Sequence, residues 1–262
     1  MVWLLLGNLP SMDWHKRYLQ QASWTRPLRE YLLKQAGLQN ALRVLEVGCG
    51  TGVILRDLAQ SARGSRVDVL GVHGLDLRHE ILLDARQYVP SAVLACGDAH
   101  ILPYASGTFD ITCCHFLLLW VANPRTALQE MRRVTRQGGR VVAFAEPAYD
   151  QRVDYPDELA LLGKWQQDAL KKQGAYPSLG SHLADLFFQA GLQILETGPL
   201  APWQPDLHGE AMWDDEWCVL QHDLCGQVSD KELLRLQELD RSARQQGKRI
   251  LQVPTYFALA QV

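Results

Sequence analysis

The sequence has 262 residues, of which 47% are hydrophobic and 21% are charged. These values are typical of a globular protein and disfavour a disordered or fibrous chain. The 26 Lys and Arg residues and the 29 Asp and Glu residues give a formal net charge of -3. Proteins that contact many nucleic-acid phosphates usually carry a basic excess, so this balance disfavours nucleic acid as a partner.

We expect neither a secretory signal nor a membrane span. The apolar start, residues 1–7, lacks the basic region and the small-residue cleavage site of a signal peptide. No apolar run reaches the roughly 18 residues that suggest a spanning helix. Several of the six cysteines fall in predicted strands, which favours buried free thiols over a disulfide framework. These features predict a cytoplasmic protein and leave its oligomeric state open.

Strand and helix patterns alternate along residues 41–147. The predicted strands cover residues 41–47, 67–77, 93–96, 109–114 and 140–146. The predicted helices between them begin at Val53, near Ile81 and at Pro124. Such alternation predicts a parallel sheet with helices on both faces, and the continuous apolar strand 109–114 fits burial on both sides.

The helix that begins at Pro124 has boundary signals at both ends. Asn123 suits the N-cap position, and proline is favoured at the first helical position. Three arginines crowd the expected last turn, where cations are stabilised by the helix dipole. The pair Gly138–Gly139 is therefore predicted to end this helix.

The regular alternation stops after Glu146. Further elements are predicted as helices over 157–173, 181–190 and 210–224, a strand over 193–197, and a Pro/Trp-rich loop over 199–205. A capping box at Ser229–Glu232 opens one more helix, and the β-prone residues 256–262 end the chain. These segments have room to form a cap over the sheet and to complete its edge.

The loop after the first strand carries the first chemical signal. It reads Gly48-Cys-Gly-Thr-Gly52 and leads directly into a helix, whose N-terminus favours close approach of a ligand to backbone N–H groups. Dinucleotide-binding loops have a third Gly or Ala where this chain has Val53. The preceding acid, Glu46, is poorly placed beside a pyrophosphate but well placed beside an ammonium or sulfonium group.

Two more acids follow the next two strands. Asp76, followed by Leu77, can accept hydrogen bonds from both hydroxyls of a ribose. Asp98, between Gly97 and Ala99, can accept from an exocyclic adenine amine. Taken singly, the glycines can be turn residues, Asp76 an N-cap and Asp98 a loop brace. Together, the three acids and the glycine loop predict a site for a cationic nucleoside.

Four motifs in order resemble the class I S-adenosylmethionine-dependent methyltransferases, and most closely the small-molecule, ubiquinone-biosynthesis-like branch. The motifs are VLEVGCGTG (44–52), GLD (74–76), GDAHILPYASGTFDI (97–111) and LQEMRRVTRQGGRVV (128–142). The resemblance implies a doubly wound, mostly parallel seven-stranded α/β sheet whose last strand, within 256–262, is antiparallel. It implies S-adenosylmethionine as cofactor and S-adenosylhomocysteine as product.

The same resemblance implies roles for individual residues. The methionine part of the cofactor would lie on the glycine loop, the ribose at the acid after the second strand, and adenine at the GDA motif. The implied cofactor-binding residues are Glu46, Gly48, Cys49, Gly50, Gly52, Asp76, Leu77, Gly97, Asp98 and Ala99.

Candidate residues around the acceptor follow from position alone. His115, after the fourth strand, could contact the cofactor, act as a base or simply pack in the core, and Glu146 could face the acceptor. On the N-terminal arm, Tyr18 could cover the cofactor and Arg26 could pair with its carboxylate. No N-P-P-Y or D-P-P-Y follows the fourth strand, which disfavours amine groups of nucleic acids as acceptors.

Aromatic side chains outside the core could wall an apolar pocket or anchor the arm and the cap. They are Trp14, Tyr18, Trp24, Tyr149, Tyr155 and Trp165. Cys218, His222 and Cys225 share one helical face, but the outer two are about 10 Å apart along the axis and no fourth ligand is evident. We therefore expect no metal site.

These observations predict a single domain with four parts: a helical N-terminal arm (1–40), a cofactor-binding core (41–147), a helical cap (148–190) and a C-terminal part that completes the sheet (191–262). The predicted function is methyl transfer to O, N or C of a small apolar or aromatic metabolite, by proximity and desolvation. A nicotinamide-dependent oxidoreductase and a non-catalytic S-adenosylmethionine-binding protein are the alternatives. The oxidoreductase reading is weakened by Val53 and by the absence of a Tyr followed four residues later by Lys.

Overall fold

A mixed sheet forms the centre of the protein. The computed structural model describes residues 13–61, 71–200 and 210–262. The strands are β1 (Val44–Val47), β2 (Val72–Asp76), β3 (Val93–Cys96), β4 (Phe109–Cys114), β5 (Thr135–Pro147), β6 (Val153–Tyr155), β7 (Gln193–Pro199), β8 (Ile250–Gln252) and β9 (Thr255–Gln261). Within these residues, seven strands form one sheet in the order β3-β2-β1-β4-β5-β9-β7.

The strand directions confirm the predicted fold class. Strands β1 to β5 pair in parallel, whereas β9 runs antiparallel to both of its neighbours, β5 and β7. The last strand of the chain is thus the antiparallel one. Because the first five strands are parallel, their carboxyl ends meet at one edge, where open α/β sheets bind ligands.

Helices cover both faces of this sheet. They are α1 (Trp14–Gln35), α2 (Val53–Ser61), α3 (His79–Tyr88), α4 (Pro124–Val134), α5 (Ala160–Lys172), α6 (Leu183–Gln189), α7 (Glu210–Leu224) and α8 (Asp230–Gln245). In β5, Val142 and Phe144 join the core under α1 and α2, while Val141 and Ala143 join the core under α4 and α6. Alternation of side chains across the strand therefore supplies both cores.

The predicted end of α4 is wrong by about one turn. The helix ends at Val134, and Thr135 already begins β5. The Met131 carbonyl oxygen of the last turn accepts from the backbone N–H of Thr135 and, at 2.7 Å, from the Thr135 hydroxyl. A Cβ on Gly139 would lie 2.8 Å from the Asp110 carbonyl oxygen, so this glycine permits close approach of β4 instead of ending the helix.

A cap subdomain lies beyond the sheet. Helices α5, α7 and α8 enclose a separate apolar cluster, and β6 and β8 form a small antiparallel sheet. The cap therefore differs from the predicted segment 148–190. It includes α7, α8 and β8 of the C-terminal part, whereas α6 packs on the main sheet. The apolar start 1–7 and most of the predicted loop 199–205 lie outside the described residues. In the described ranges, no helix is long and apolar enough to span a membrane.

Two predicted N-terminal caps are present as expected. The Asn123 side chain accepts from the Thr126 backbone N–H at 3.0 Å, and the Ser229 hydroxyl accepts from the Glu232 N–H at 3.3 Å. Each cap satisfies a backbone donor that the first helical turn leaves free. The first cap also fixes the loop between β4 and α4, which forms part of the site described next.

Candidate active site

One cavity of about 580 Å³ opens at the carboxyl ends of the parallel strands. Its floor is the glycine loop between β1 and α2, and its roof comes from α1 and the cap. The volume lies in the range of about 300–1,000 Å³ that is usual for small-molecule sites. All the predicted cofactor-binding residues line this cavity except Gly52 and Arg26.

Backbone geometry shapes the glycine loop. Gly48 and Gly50 have φ angles of +74° and +52°, a region that side chains disfavour. A Cβ on Gly48 would lie 2.6 Å from the Leu117 side chain, and one on Gly50 would lie 3.1 Å from the Tyr18 ring. The loop therefore needs glycine both for its conformation and for the side chains that pack directly on it.

Glu46 supplies a buried carboxyl at the start of this loop. It is 2% exposed, it lines the cavity, and its Oε2 atom has no hydrogen-bond partner among the described residues. Burial raises the pKa of Glu46 well above its usual value, against the opposing charge of Arg29. An unsatisfied buried oxygen is costly, and a cationic donor in the cavity would satisfy it.

The next acid, Asp76, is fixed by the loops on both sides. Its Oδ2 accepts from the Gly50 N–H at 2.9 Å and its Oδ1 from the Arg78 N–H at 3.0 Å. Each carboxylate oxygen can accept a second hydrogen bond, so both remain able to bind a ligand. Beside it, Leu77 is 68% exposed and offers an apolar face to the same cavity.

The third acid is held by a histidine. Asp98 Oδ1 accepts from the backbone N–H of His100 at 2.8 Å and contacts its Nδ1 at 2.6 Å, and the backbone bond lowers the pKa of Asp98. His100 Nε2 accepts from the Asn123 N–H at 3.0 Å, so the ring carries its proton on Nδ1 and donates it to Asp98. Gly97 and Ala99 line the cavity beside this acid.

At the tip of β4, His115 lines the cavity and is tied to the N-terminal helix. Its Nε2 lies 2.9 Å from the Thr25 hydroxyl of α1. Burial, followed by the charge of Arg29, lowers the pKa of His115 well below its usual value. The imidazole is therefore neutral near pH 7. The next residue, Phe116, has a φ of +51°, an uncommon conformation for a bulky residue, and it also faces the cavity.

The cap closes the other end of the cavity. The side chains that line this end are Pro147 at the end of β5, then Tyr149, Leu170, Gln173, Val219, His222 and Asp223, and α1 adds Trp14, Arg17 and Gln21. Among the aromatic residues singled out in the sequence, Trp14, Tyr18 and Tyr149 line the cavity. Trp24 instead stacks on Arg17, Trp165 packs on the core of the cap, and Tyr155 lies 45% exposed outside it.

Known proteins share this architecture. A family model described as a methyltransferase domain matches residues 45–143. Over 173 residues, the chain is 36% identical to phosphatidylethanolamine N-methyltransferase of Cereibacter sphaeroides, a match that covers 61% of this chain and 74% of that relative. The chain belongs to the class I S-adenosylmethionine-dependent methyltransferases.

Two further matches describe how far this similarity to other methyltransferases extends. The chain is 33% identical over 127 residues to demethylmenaquinone methyltransferase of Renibacterium salmoninarum, covering 48% of this chain and 51% of that one. It spans about half the length of the first curated relatives that it matches. A proposed methyltransferase of Bacillus halodurans has a similar fold, with a TM-score of 0.59, 17% identity, and coverage of 88% of this chain and 96% of that one.

Two predicted cofactor contacts of this methyltransferase do not reach the cavity. Arg26 is 63% exposed and lies 3.8 Å from Asp57, whereas Arg17 of the same helix lines the cavity. Gly52 faces away from the cavity, and a Cβ there would meet Ala85 and Val89 at 3.3 Å. The last glycine of the loop thus lets α3 pack closely against it.

The placement of Glu146 also differs from the expectation that it faces the acceptor. Its carboxyl is fully buried and does not line the cavity. Oε1 accepts from the N–H groups of Leu117 and Leu118 at 3.0 and 2.9 Å, and Oε2 from Leu119 at 3.3 Å. Because the side chains of Leu117 and Leu119 line the cavity, Glu146 acts as a positioning residue for that wall.

Residues missed in the sequence complete the site. Arg17 and Gln21 lie one helical turn from Trp14 and Tyr18 on α1, so a helical projection of the arm could have grouped them. Asp223 had no such signal, because its helix reaches the cavity only through packing of the cap. In the described part of the chain, no group of three or more His, Cys, Asp or Glu side chains is placed to hold a metal ion.

The pH dependence of stability tests the state of Glu146. Burial raises the pKa of this carboxyl to about 7, against an ordinary value of 4.5. Its protonated form therefore stabilises the fold fully below about pH 4.5, and this contribution is lost as the pH rises through 7. We expect the stability advantage of the wild type over Glu146→Gln to fall by roughly 2–3 kcal/mol between pH 5 and pH 8 in urea unfolding. Parallel pH profiles of the two proteins would contradict this assignment.

Proposed function

We propose that this methyltransferase moves the methyl group of S-adenosylmethionine to O, N or C of a small apolar or aromatic metabolite. The observation that carries the proposal is the unsatisfied, buried Oε2 of Glu46 in a cavity that also receives Asp76 and Asp98. The cofactor carries an ammonium group, ribose hydroxyls and an adenine amine. All three are hydrogen-bond donors, which suits three acidic acceptors. The cap closes the same cavity around the space left for an acceptor.

The residues present fit the cofactor in a definite arrangement. We expect Glu46 to accept from the cofactor's ammonium group, Asp76 to accept from the ribose hydroxyls, and Asp98 to accept from adenine. Leu77 offers an exposed apolar surface for the adenine ring. Gly48 and Gly50 line the cavity without a side chain, so the loop backbone can approach the methionine part.

The cofactor, when bound, supplies a methyl group already activated by the positive sulfonium. The chain's own residues then have to align the acceptor and exclude water, and proximity of this kind can lower a barrier by about 7–11 kcal/mol. Trp14, Tyr149 and Leu170 enclose the acceptor end. His115, being neutral, does not repel a cationic ligand, and its bond to Thr25 fixes the ring.

A turnover screen tests the proposal. Purified protein, S-adenosylmethionine and pools of small phenols, amines and aromatic acids are incubated, and formation of S-adenosylhomocysteine is followed. We expect acceptor-dependent formation of S-adenosylhomocysteine with at least one pool. In a parallel assay we expect no acceptor-dependent oxidation of NADH, which the alternative function would produce. Cofactor binding without methyl transfer to any pool would instead support a non-catalytic binding protein.

A further inference from the structure

The acceptor end of the cavity contains a carboxylate that no lysine or arginine of the described residues pairs with. Asp223 lies on α7, lines the cavity and is 8% exposed. Its Oδ2 accepts from the Gln166 side-chain amide at 2.8 Å, and the Gln166 carbonyl in turn accepts from Arg152. Neutral amides thus hold Asp223 in place without neutralising its charge.

The arginines near Asp223 among the described residues pair with other acids. The nearby cation, Arg17, donates to Gln20 at 2.6 Å and pairs with Glu216 at 3.3 Å. Glu216 also lies 4.0 Å from Arg152, whose main partner is Asp154 at 2.7 Å. Arg17 and Arg152 therefore both have acidic partners other than Asp223. His222, which precedes Asp223 in the chain, acts against the rise in the pKa of Asp223.

Aromatic rings surround the same space. Trp14 and Tyr149 line the cavity with Asp223, and the His222 ring meets Trp14 edge-on at 5.6 Å between centroids. The faces of such rings attract cations, and the attraction grows when water is excluded. A buried carboxylate beside aromatic faces is the combination that recognises an ammonium group. Burial raises the pKa of Asp223, against the opposing effect of its hydrogen bond to Gln166.

We propose that Asp223 determines the specificity of the acceptor pocket and that the acceptor carries a protonated amine, bound between Asp223 and the rings of Trp14 and Tyr149. The inference rests on the proposed function, since it takes this end of the cavity as the acceptor end. It narrows the acceptor from any small apolar or aromatic metabolite to one that combines an apolar body with a cationic nitrogen.

The test uses three probes that differ in one group. Binding of 2-phenylethylamine, 2-phenylethanol and phenylacetate to protein saturated with S-adenosylhomocysteine is measured by calorimetry. We expect the amine to bind at least about 10-fold more tightly than the alcohol, and the acid not to bind, because a charge-assisted bond to a buried carboxylate exceeds a neutral one. Asp223→Asn, which keeps an oxygen for the Gln166 amide, should remove this preference.

Asp214→Asn is the matched control, since Asp214 lies on the same helix but is exposed and outside the cavity. It should leave the amine preference unchanged. Equal binding of the three probes, failure of the amine to bind, or an amine preference that survives in Asp223→Asn would overturn the inference while leaving the proposed function intact. If the protein fails to bind S-adenosylhomocysteine at all, both proposals fail, so the two failures are distinguishable.

Discussion

Replacing Asp76 with alanine is expected to weaken S-adenosylmethionine binding by at least about 100-fold without unfolding the protein. Two charge-assisted hydrogen bonds to a ligand contribute about 1.5–3 kcal/mol each, and the loss of both exceeds a 100-fold change in affinity. Asp76 also accepts from the Gly50 N–H, so its removal releases the glycine loop that forms the cavity floor. The lost hydrogen bonds and the released loop should both weaken binding of the cofactor.

Titration calorimetry and thermal unfolding together measure this effect. Asp84→Ala serves as the control, because Asp84 lies on the exposed side of α3 near the same strand end but does not line the cavity. It should leave affinity unchanged. If Asp76→Ala binds S-adenosylmethionine as tightly as the control does, Asp76 is not part of the binding site.

Replacing Asp154 with alanine is expected to cost about 3–5 kcal/mol of unfolding free energy, because it leaves buried charges without their partner. Asp154, Arg152 and Arg249 have side chains only 1% exposed. Asp154 forms ion pairs with Arg152 at 2.7 Å and with Arg249 at 2.6 Å. Arg249 also pairs with Asp240 of α8 at 2.5 Å. These linked ion pairs connect β6, the start of β8 and α8. Removing Asp154 should therefore destabilise the whole cap.

Urea unfolding of matched variants measures that cost. The exposed pair between Glu232 and Arg235 provides the control, since water screens a surface ion pair and its contribution is small. Glu232→Ala should leave the unfolding midpoint nearly unchanged, whereas Asp154→Ala should lower it clearly. Similar small shifts in both variants would show that the buried pairs do not hold the cap together.

The parts of the site that the sequence could predict are those carried by local order along the chain. Glu46, Asp76 and Asp98 each stand at or just after the end of a parallel strand, and such ends meet at one edge of a sheet. Their grouping in one cavity therefore followed from recognising the strands. The antiparallel last strand came from the family resemblance, which the sheet order confirms.

Errors arose where the direction of a side chain or a distant contact decides the role. Arg26 and Arg17 are nine residues apart on α1, about 2.5 turns, so they point to opposite faces of the helix. Glu146 lies at the end of β5 as predicted, but its carboxyl accepts hydrogen bonds from the backbone N–H groups of residues 117–119. Neither the direction of Arg26 nor these hydrogen bonds of Glu146 can be read from the linear sequence.

The cap was the least predictable part, because its members meet only after the chain has folded. Helix α7 was predicted over residues 210–224, but nothing in its sequence indicates that Asp223 faces the cavity. Packing of α7 against α5, and the amide bond from Gln166, place it there. The substrate end of an enzyme built this way depends on long-range packing more than the cofactor end does.

We expect the cavity at the strand ends to bind S-adenosylmethionine and its product rather than a dinucleotide. Calorimetric titration of the full chain with S-adenosylmethionine, S-adenosylhomocysteine and NADH measures this preference. Both adenosyl compounds should bind saturably at one site, and NADH should not bind. Binding of NADH without binding of either adenosyl compound would contradict this expectation.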